Sequence, residues 1–482
     1  MHNERKYDVV NNTTPYTFYD SEALTMENLK VLAPLDKAFT PIYRSLCDFK
    51  ARAEKENGPV IRIALERNDK LVATQDMQIL PEGMDDELNI AMVERMVKAM
   101  LWVYGGFRVT IAGSKTVYEG IKAQYCLGGK REFDFDFMAN VYESDFEVLY
   151  AATIAEAPEK KEAAEAIGRH LDGCRIGFDA GGSDRKVSAV VNGESVYSEE
   201  VVWFPKTNSD PNYHYEGIVA AMKTAASKMP RVDAIGVSSA GVYVANRTMR
   251  ASLFIKVDEE NYDKYVKDIY IRAAKEIGDV PLTVCNDGDV TALAGAMSLG
   301  ENGILGIAMG TSEAGGYVDT DGNITGWLNE LAFVPCDLAP TAMEDEWSGD
   351  IGCGVKYFSQ DAVIKLAPAA GIELDPALSP AEKLKIVQGK MLEGHEGARQ
   401  IYETIGVYLG YILAFYAMFY DINHVLLMGR VTSGQGGDLV LAKAQEVLDT
   451  EYPELKMQVN LPDEKSRRVG QSVAAASLPV IG

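Results

Sequence analysis

The sequence has little positive charge: 47 lysines and arginines stand against 71 aspartates and glutamates, which gives a formal net charge of −24 at pH 7. A general nucleic-acid binder and a protein that adheres to anionic membranes both need a basic face, so this balance argues against both classes. It does not argue against nucleotide binding, because backbone N–H groups and Mg²⁺ can hold phosphate inside an acidic protein. We therefore predict neither a nucleic-acid partner nor a membrane partner.

The sequence is also poor in cysteine and histidine, with six and five residues. The cysteines are widely spaced and form no Cys-x-x-Cys pair, which is typical of a reduced protein with buried thiols. The first residues lack the apolar segment of a secretory signal, and we predict a cytoplasmic protein. The most apolar run, residues 405–422, is marginally long enough to span a membrane. Asp421 and the strand pattern that follows it favour a buried helix instead.

The chain is long enough for two to four domains. Residues 1–170 mix strand and helix patterns without a recognisable chemical motif. Within them, alternation predicts a strand at 133–142, and Ala, Glu and Lys at 158–171 predict an exposed helix or helical linker. In the rest of the chain strands alternate with helices, which predicts mostly parallel sheets covered by helices. We divide this part into a first lobe at 171–295 and a second at 296–482.

Two glycine-rich turns of similar design, each between two strand patterns, are the most informative feature of the chain. Glycine lets backbone N–H groups crowd an anion where a Cβ would collide. Two such turns in two halves predict a nucleotide phosphate chain held from both sides. One alone would be a weak signal, because most such turns only reverse a strand. The turn residues are Asp179, Gly181, Gly182 and Ser183 in the first and Gly310 and Thr311 in the second.

Carboxylates stand next to these features. Asp179 follows a buried strand pattern and can hold Mg²⁺ directly or through water, although an acidic turn residue is the plainer interpretation. Asn286 and Asp287 stand where a strand ends and a small-residue helix begins, the usual ligand edge of an open α/β sheet. Asp287 is placed there to accept a proton from a hydroxyl. Helix capping is the alternative for Asp287 and for Asp289.

Two further strand ends carry small or polar residues. The segment 235–246, which ends at Asn246, suits hydrogen bonding to a polyol, or is an ordinary turn. The glycine-rich segment 429–437 follows a strand and opens a helix, and it lacks a regular Gly-x-Gly-x-x-Gly. We expect Gly429 and Gly434 of this segment to lie beside an adenosine. The alternative is that they belong to a plain strand–helix connection.

The joint order of these motifs resembles the sugar kinases of the repressor–open reading frame–kinase (ROK) family, within the actin-like/hexokinase ATPase superfamily. The resemblance covers roughly residues 174–482. It implies an α/β fold with two ribonuclease H-like lobes around a cleft, to which the N-terminal α/β region is an addition. It also implies an ATP-dependent carbohydrate kinase that uses ATP and Mg²⁺ to phosphorylate a sugar hydroxyl. Base rates favour a homodimer.

The resemblance also implies residue roles. Asp287 is the general base, and Asn286 and Glu330 are expected to contact the sugar. Asn246 is also expected to contact the sugar, but only because of its position at a polar strand end. The first phosphate loop contains Asp179, which holds Mg²⁺ through water, and Gly181, Gly182 and Ser183. Gly310 and Thr311 form the second phosphate loop, and Gly429 and Gly434 flank the adenosine.

The chain departs from the family pattern on the sugar side. Ala332 and Phe333 stand where the family has Gly-His, and Val355 stands where it has a sugar-binding glutamate. The family next has a cluster of cysteines that binds zinc, and in this chain only Cys336 and Cys353 stand near that position. Two thiols without a histidine do not complete a four-ligand site, so we predict no zinc. Four nearby carboxylates are candidate replacements for the missing glutamate: Glu344, Asp345, Glu346 and Asp350.

An acyl or polyol kinase of the same superfamily is one alternative, and two further alternatives stay open. One is a sugar-responsive regulator that binds DNA, but the first 170 residues are too long for a winged helix-turn-helix and lack a basic recognition helix. The other is a non-catalytic protein that binds sugar or nucleotide, which the changes at Phe333 and Val355 keep open.

Overall fold

The structure is a computed structural model, and it describes residues 29–162, 167–462 and 470–481. Three α/β parts follow one another along the chain: an N-terminal region and two lobes. The helix predicted at 158–171 is wrong for the described residues of that segment, which have no regular structure apart from a single β-bridge between Lys161 and Val72. Residues 163–166 of that segment lie outside the described residues.

The N-terminal region contains a four-stranded sheet in the order β2-β1-β3-β4. Strand β1 runs antiparallel to both its neighbours, and β4 runs parallel to β3. The strands are β1 (Val60–Glu66), β2 (Val72–Gln78), β3 (Arg108–Ala112) and β4 (Glu147–Ala151), and the helices are α1 (Ile42–Lys55), α2 (Asp86–Tyr104), α3 (Lys115–Gln124) and α4 (Glu132–Tyr142).

The strand predicted at 133–142 is wrong, because this segment is helix α4. Alternating Phe and Asp residues suggested a period of two. The buried side chains Asp134, Met138 and Val141 instead follow the helical period. Phe133 and Phe137, one helical turn apart, both pack on the ring of Trp102 in α2. The local sequence of this segment fits either a strand or a helix, and packing against α2 favours the helix.

The first lobe has a five-stranded sheet in the order β11-β8-β5-β6-β7. Strands β5, β8 and β11 are parallel, and β6 and β7 are antiparallel additions. The strands are β5 (Cys174–Ala180), β6 (Asp184–Val191), β7 (Glu194–Val202), β8 (Ala234–Ser239), β9 (Val242–Val244), β10 (Arg247–Arg250) and β11 (Leu282–Asn286), and the helices are α5 (Pro211–Ala226), α6 (Glu259–Asn261), α7 (Ile269–Lys275) and α8 (Asp287–Leu299). Strands β9 and β10 form a separate ribbon.

The second lobe has a four-stranded sheet in the order β13-β12-β14-β15, in which only β13 is antiparallel. The strands are β12 (Ile304–Met309), β13 (Glu313–Val318), β14 (His424–Met428) and β15 (Gln458–Asn460). The helices are α9 (Gln360–Leu366), α10 (Pro380–Leu392), α11 (Glu396–Tyr416), α12 (Gln435–Glu451) and α13 (Gln471–Ala476).

The two lobe sheets have related topology. In each, the first strand pairs antiparallel with the second and parallel with a later strand, so both repeat the ribonuclease H-like order. Two such lobes plus an N-terminal α/β region confirm the predicted fold class. Helix α13 returns to the first lobe: a Cβ built on Gly177 of β5 would lie 1.7 Å from the carbonyl oxygen of Ser472.

The apolar run at 405–422 is a buried helix only up to Tyr416, where α11 ends; residues 417–419 form turns and 420–422 have no regular structure. Helix α11 lies against α12. The packing is close because Gly406 and Gly410 have no side chain: a Cβ on Gly410 would lie 2.4 Å from Cβ of Val447. Among the described helices, none combines the length and apolar character needed to cross a bilayer. One continuous apolar core contains this helix, β12 and the buried side chains of α2, so the N-terminal region and the second lobe are packed together.

Candidate functional site

The carboxyl ends of β5, β8 and β11 bring Asp179 and Asp287 together. The three strands are parallel neighbours, and Ser238 of β8 stands in register with Asp179 on one side and Cys285 on the other. The hydroxyl of Ser238 donates to Oδ1 of Asp179 over 2.9 Å. Asp287 is near enough for its charge to raise the pKa of Asp179. Two acidic side chains therefore share the edge of the sheet at which ligands bind in open α/β folds.

Burial controls the protonation of these carboxyls. It raises the pKa of Asp179 to about 6, against the lowering effects of the Ser238 hydrogen bond and of Lys186. Burial also raises the pKa of Asp287, which the backbone N–H of Gly288 and the charge of Lys206 lower in turn. A carboxylate with a raised pKa is a better proton acceptor than an exposed one, provided that it stays ionised.

Asp289 has a structural role. It is buried, and its Oδ1 accepts hydrogen bonds from the backbone N–H of Tyr317 over 3.0 Å and from the amide of Asn329 over 2.8 Å. The side chain of Asp287 accepts only backbone N–H groups among the described residues. Of the two aspartates at the start of α8, Asp287 is the one left for a ligand.

Asn286 caps α8. Its Oδ1 accepts from the N–H of Gly288 over 2.7 Å, and its Nδ2 donates to the carbonyl of Gly241 over 2.7 Å. Asn246 is occupied in a similar way by the backbone of β11, since it donates to Leu282 and accepts from Val284. Both amides that were predicted to contact the sugar thus fix the strand ends around Asp287.

Trp203, just after β7, holds the first glycine turn. Its indole N–H donates to the carbonyl of Gly181 over 2.7 Å, and its backbone N–H donates to the carbonyl of Ser183 over 3.1 Å. Neither Gly181 nor Gly182 has a positive φ. Space explains the first glycine, because a Cβ there would lie 2.7 Å from the carbonyl oxygen of Asp184. The turn is therefore tight and fixed in conformation.

The second turn joins β12 to β13 through Gly310 and the exposed residues Thr311 and Ser312. The two glycines further along, Gly315 and Gly316, lie inside β13 rather than in the turn. A Cβ on Gly316 would lie 2.1 Å from the carbonyl oxygen of Gly288. This backbone contact sets the second-lobe sheet directly against the start of α8, next to Asp287.

The turn after β14 meets the same edge. Gly429 has a φ of 99°, and a Cβ there would lie 2.3 Å from the carbonyl oxygen of Met309 at the end of β12. It lines a cavity of about 400 Å³ together with Thr291, Gly295 and Gln471. Gln471 also donates to Ser238 and to the carbonyl of Asp287, which links the cavity to the carboxylate edge. Gly434 caps α12 with a φ of 66°.

The N-terminal region holds Glu330 in place. The backbone N–H groups of Asn329 and Glu330 donate to the carbonyls of Val103 and Trp102, each over 3.0 Å. These carbonyls belong to the last turn of α2, where a helix has unpaired acceptors. Burial, together with the charges of Asp287 and Asp289, raises the pKa of Glu330 to about 7. Glu330 therefore lies near enough to Asp287 for the two charges to interact.

Phe333 packs on the N-terminal region. Its ring centroid lies 4.2 Å from that of Trp102 and 5.5 Å from that of Phe133. An aromatic contact thus joins α2 and α4 to the segment that carries Glu330.

A buried network of six charges extends this contact. Asp350 accepts from Arg95 over 2.9 Å, from Lys98 over 3.0 Å and from Arg131 over 2.6 Å. These cations hold the pKa of Asp350 well below its usual range. Glu94 and Asp134 supply the other two negative charges. Three cations and three anions are thereby paired between the N-terminal region and the segment that follows Phe333.

Three of the four candidate replacement carboxylates have partners within the chain in this arrangement. Asp350 belongs to the charge network, and Asp345 accepts from the side chain and backbone of Ser348. Glu346 pairs with Lys356, and Glu344 is exposed. The structure instead buries Glu313, which the sequence did not single out. Its Oε2 has no partner among the described residues, and burial raises its pKa to about 8.

Cys336 and Cys353 are both buried, and burial raises the pKa of the Cys353 thiol to about 12. Within the described ranges, no group of three His, Cys, Asp or Glu side chains is placed to hold one metal ion.

Lys206 was missed by the sequence reasoning, as was Gln471. A single lysine after a strand carries no pattern, and a glutamine at the start of a terminal helix carries none either. Their positions depend on contacts between parts of the chain that are far apart in sequence.

Comparisons with known proteins give a similarity in fold. No family model and no curated protein matches the chain. The chain is similar in fold to the ROK sugar kinases over about 63% of its length. A ROK hexokinase from Thermus thermophilus has a TM-score of 0.49 at 18% identity over 63% of this chain and 97% of its own. A ROK family glucokinase from Streptomyces griseus, in complex with glucose and AMPPNP, has a TM-score of 0.43 at 19% identity over 63% and 98%. A ROK family transcriptional regulator, a homologue of the E. coli MLC protein, has a TM-score of 0.47 at 15% identity over 64% and 79%.

Proposed function

We propose that this protein is an ATP-dependent sugar kinase that transfers the γ-phosphoryl group of ATP to a sugar hydroxyl. One observation carries the proposal: Asp287 lies at a shared edge with Asp179, directly against β13 through the Gly288–Gly316 contact. In the proposal this proton acceptor serves a phosphate chain held by the two glycine turns. The 400 Å³ cavity beside Gly429 supports an adenosine at the same edge.

In this proposal Asp287 accepts the proton of the acceptor hydroxyl while that oxygen attacks the γ-phosphorus. The bond between the γ-phosphorus and the bridging oxygen breaks, and ADP leaves with that oxygen. Glu330 accepts hydrogen bonds from other hydroxyls of the sugar and so orients the attacking oxygen. Positioning and charge neutralisation do most of the work in phosphoryl transfer.

Mg²⁺ fits the residues at this edge, because Asp179 offers a second carboxylate oxygen beyond the one that bonds Ser238. Carboxylates that meet Mg²⁺ directly or through water, together with substrate phosphates, are its usual ligands. When bound, the ion neutralises charge on the phosphates. With a pKa of about 6, Asp179 is mostly ionised at neutral pH.

The test is release of ADP from ATP and Mg²⁺ by the full chain, with a panel of hexoses, N-acetylated hexosamines and polyols as acceptors. We expect release that depends on one class of acceptor and reaches well above the rate with water alone. Asp263→Asn, an exposed change in the first lobe, is the matched control for active-site variants.

A protein that binds sugar and nucleotide calorimetrically but releases no ADP with any acceptor would be a non-catalytic binder. That outcome contradicts the kinase proposal. A sugar-dependent shift of DNA in a mobility assay would point to a regulator instead.

A further inference from the structure

Lys206 stands beside the first glycine turn, three residues after Trp203 in a short helical turn at Pro205–Thr207. Trp203 is bonded to the carbonyls of Gly181 and Ser183, so the segment that carries Lys206 is fixed against the turn. A Cβ built on Gly182 would lie 3.1 Å from Cε and 3.4 Å from Nζ of Lys206. The ammonium group therefore lies over the glycine at the tip of the turn.

The charge of Lys206 reaches the carboxylate edge. It lowers the pKa of Asp287, the proposed base. The ammonium thus lies beside the first turn and within electrostatic range of Asp287, the two features between which the proposed reaction places the terminal phosphate of the nucleotide.

The other two cations of this turn have contacts of their own, although Nε of Arg185 has no hydrogen-bond partner among the described residues. Lys186 pairs with Asp184 over 3.2 Å, and the guanidinium of Arg185 lies 5.8 Å from the ring centroid of Trp203. Across the described part of the chain, Nζ of Lys206 has no hydrogen bond and no ion pair, and the side chain is exposed. An unpaired ammonium beside a phosphate-binding turn is available for a ligand anion.

We propose that Lys206 binds the terminal phosphate of the bound nucleotide. This rests on the proposed function and names a residue of its nucleotide site. A flexible ammonium acts as a point charge, which suits a phosphate whose charge shifts during transfer. Gly182 matters to the same contact, because a larger side chain there would compete with the lysine for space.

The test compares two nucleotides by calorimetry, in Mg²⁺ and without acceptor: a non-hydrolysable ATP analogue and ADP. Lys206→Gln removes the charge at nearly constant length, and Lys206→Arg keeps a cation. Lys223→Gln is the matched control, since Lys223 is a partly exposed lysine of α5 in the same lobe, paired with Glu276. We expect Lys206→Gln to lower the affinity for the ATP analogue about ten- to a hundredfold, with a much smaller loss for ADP. Lys206→Arg should recover most of it.

Equal losses for the two nucleotides, or no loss for the ATP analogue, would overturn the assignment of Lys206. Failure of the wild-type protein to bind either nucleotide would overturn it together with the kinase proposal. The two proposals can also fail separately. If Lys206→Gln selectively loses affinity for the ATP analogue while the wild-type protein releases no ADP with any acceptor, the assignment of Lys206 is supported and only the kinase proposal is contradicted.

Discussion

The backbone N–H of Glu330 donates to the carbonyl of Trp102 over 3.0 Å. The donor belongs to the segment proposed to bind the sugar, and the acceptor belongs to the last turn of α2 in the N-terminal region. The same two elements are joined by the Trp102–Phe333 ring contact and by the charge network around Asp350. The N-terminal region therefore packs directly against the proposed acceptor side of the site.

Trp102→Phe tests the contact between the N-terminal region and the proposed acceptor side. The substitution removes the indole N–H that donates to Asp134 over 2.6 Å and weakens the contact with Phe333. We expect a loss of about 1–3 kcal/mol in the free energy of unfolding. We also expect a rise of about three- to tenfold in KM for the acceptor, with KM for ATP unchanged, a shift worth about 1 kcal/mol. Steady-state kinetics with each substrate varied in turn measure this.

The control is Phe135→Leu, because Phe135 points to Phe146 on the other side of α4. Equal rises in KM for both substrates after Trp102→Phe would contradict an effect confined to the acceptor side.

Asp287→Asn tests the proposed base. The substitution keeps the shape of the side chain and removes its capacity to accept a proton. We expect kcat to fall by about 10²–10⁴, the range for loss of a general base, while sugar binding is retained. Turnover assays and calorimetry on the same preparation check both points. Near-normal turnover would exclude Asp287 as the base.

The pH dependence of the reaction tests Lys206 and Asp287 together. The ammonium favours the ionised form of Asp287, whose neighbours Asp179, Asp289 and Glu330 are also acidic. Removing it in Lys206→Gln should raise the pKa of Asp287 and move the acidic limb of kcat/KM to higher pH. The pH profile of Lys223→Gln should match that of the wild-type protein. An unshifted limb in Lys206→Gln would place the lysine outside the influence of the base.

Asp350→Asn tests the charge network. It leaves Arg95, Lys98 and Arg131 buried with one negative charge too few. Breaking a buried pair in this way should cost about 3–5 kcal/mol in the free energy of unfolding, measured with urea. Asp48→Asn, which removes a partly exposed pair with Arg44, should cost about 0–1 kcal/mol. Similar costs for the two variants would contradict a structural role for the network.

Glu313→Gln tests the buried carboxyl. Its pKa is about 8 in the folded protein against 4.5 normally, so between these values the folded state holds a proton that the unfolded chain releases. Its contribution to stability is therefore complete below pH 4.5 and is lost as pH rises towards 8. Glutamine does not titrate, so the variant should gain stability relative to wild type over this range. Urea unfolding at several pH values measures it, and parallel curves would refute the burial effect.

Local patterns predicted the lobes and their glycine turns. Parallel strands place their carboxyl ends at one edge, so Asp179 and Asp287 could be expected to meet before any contact was known. The same reasoning did not decide between Asp287 and Asp289. That choice depends on hydrogen bonds from Tyr317 and Asn329, which come from the other lobe.

The sequence by itself determined the order of strands, turns and carboxylates, because each is encoded in a few adjacent residues. Tertiary structure decided the rest. Helix α4 formed where alternation predicted a strand, since Phe133 and Phe137 pack on Trp102. Lys206 reached the first turn because Trp203 fixes its segment there. The N-terminal region, which has no motif of its own, packs against the proposed acceptor side because unpaired helix carbonyls and buried charges need partners that only distant residues supply.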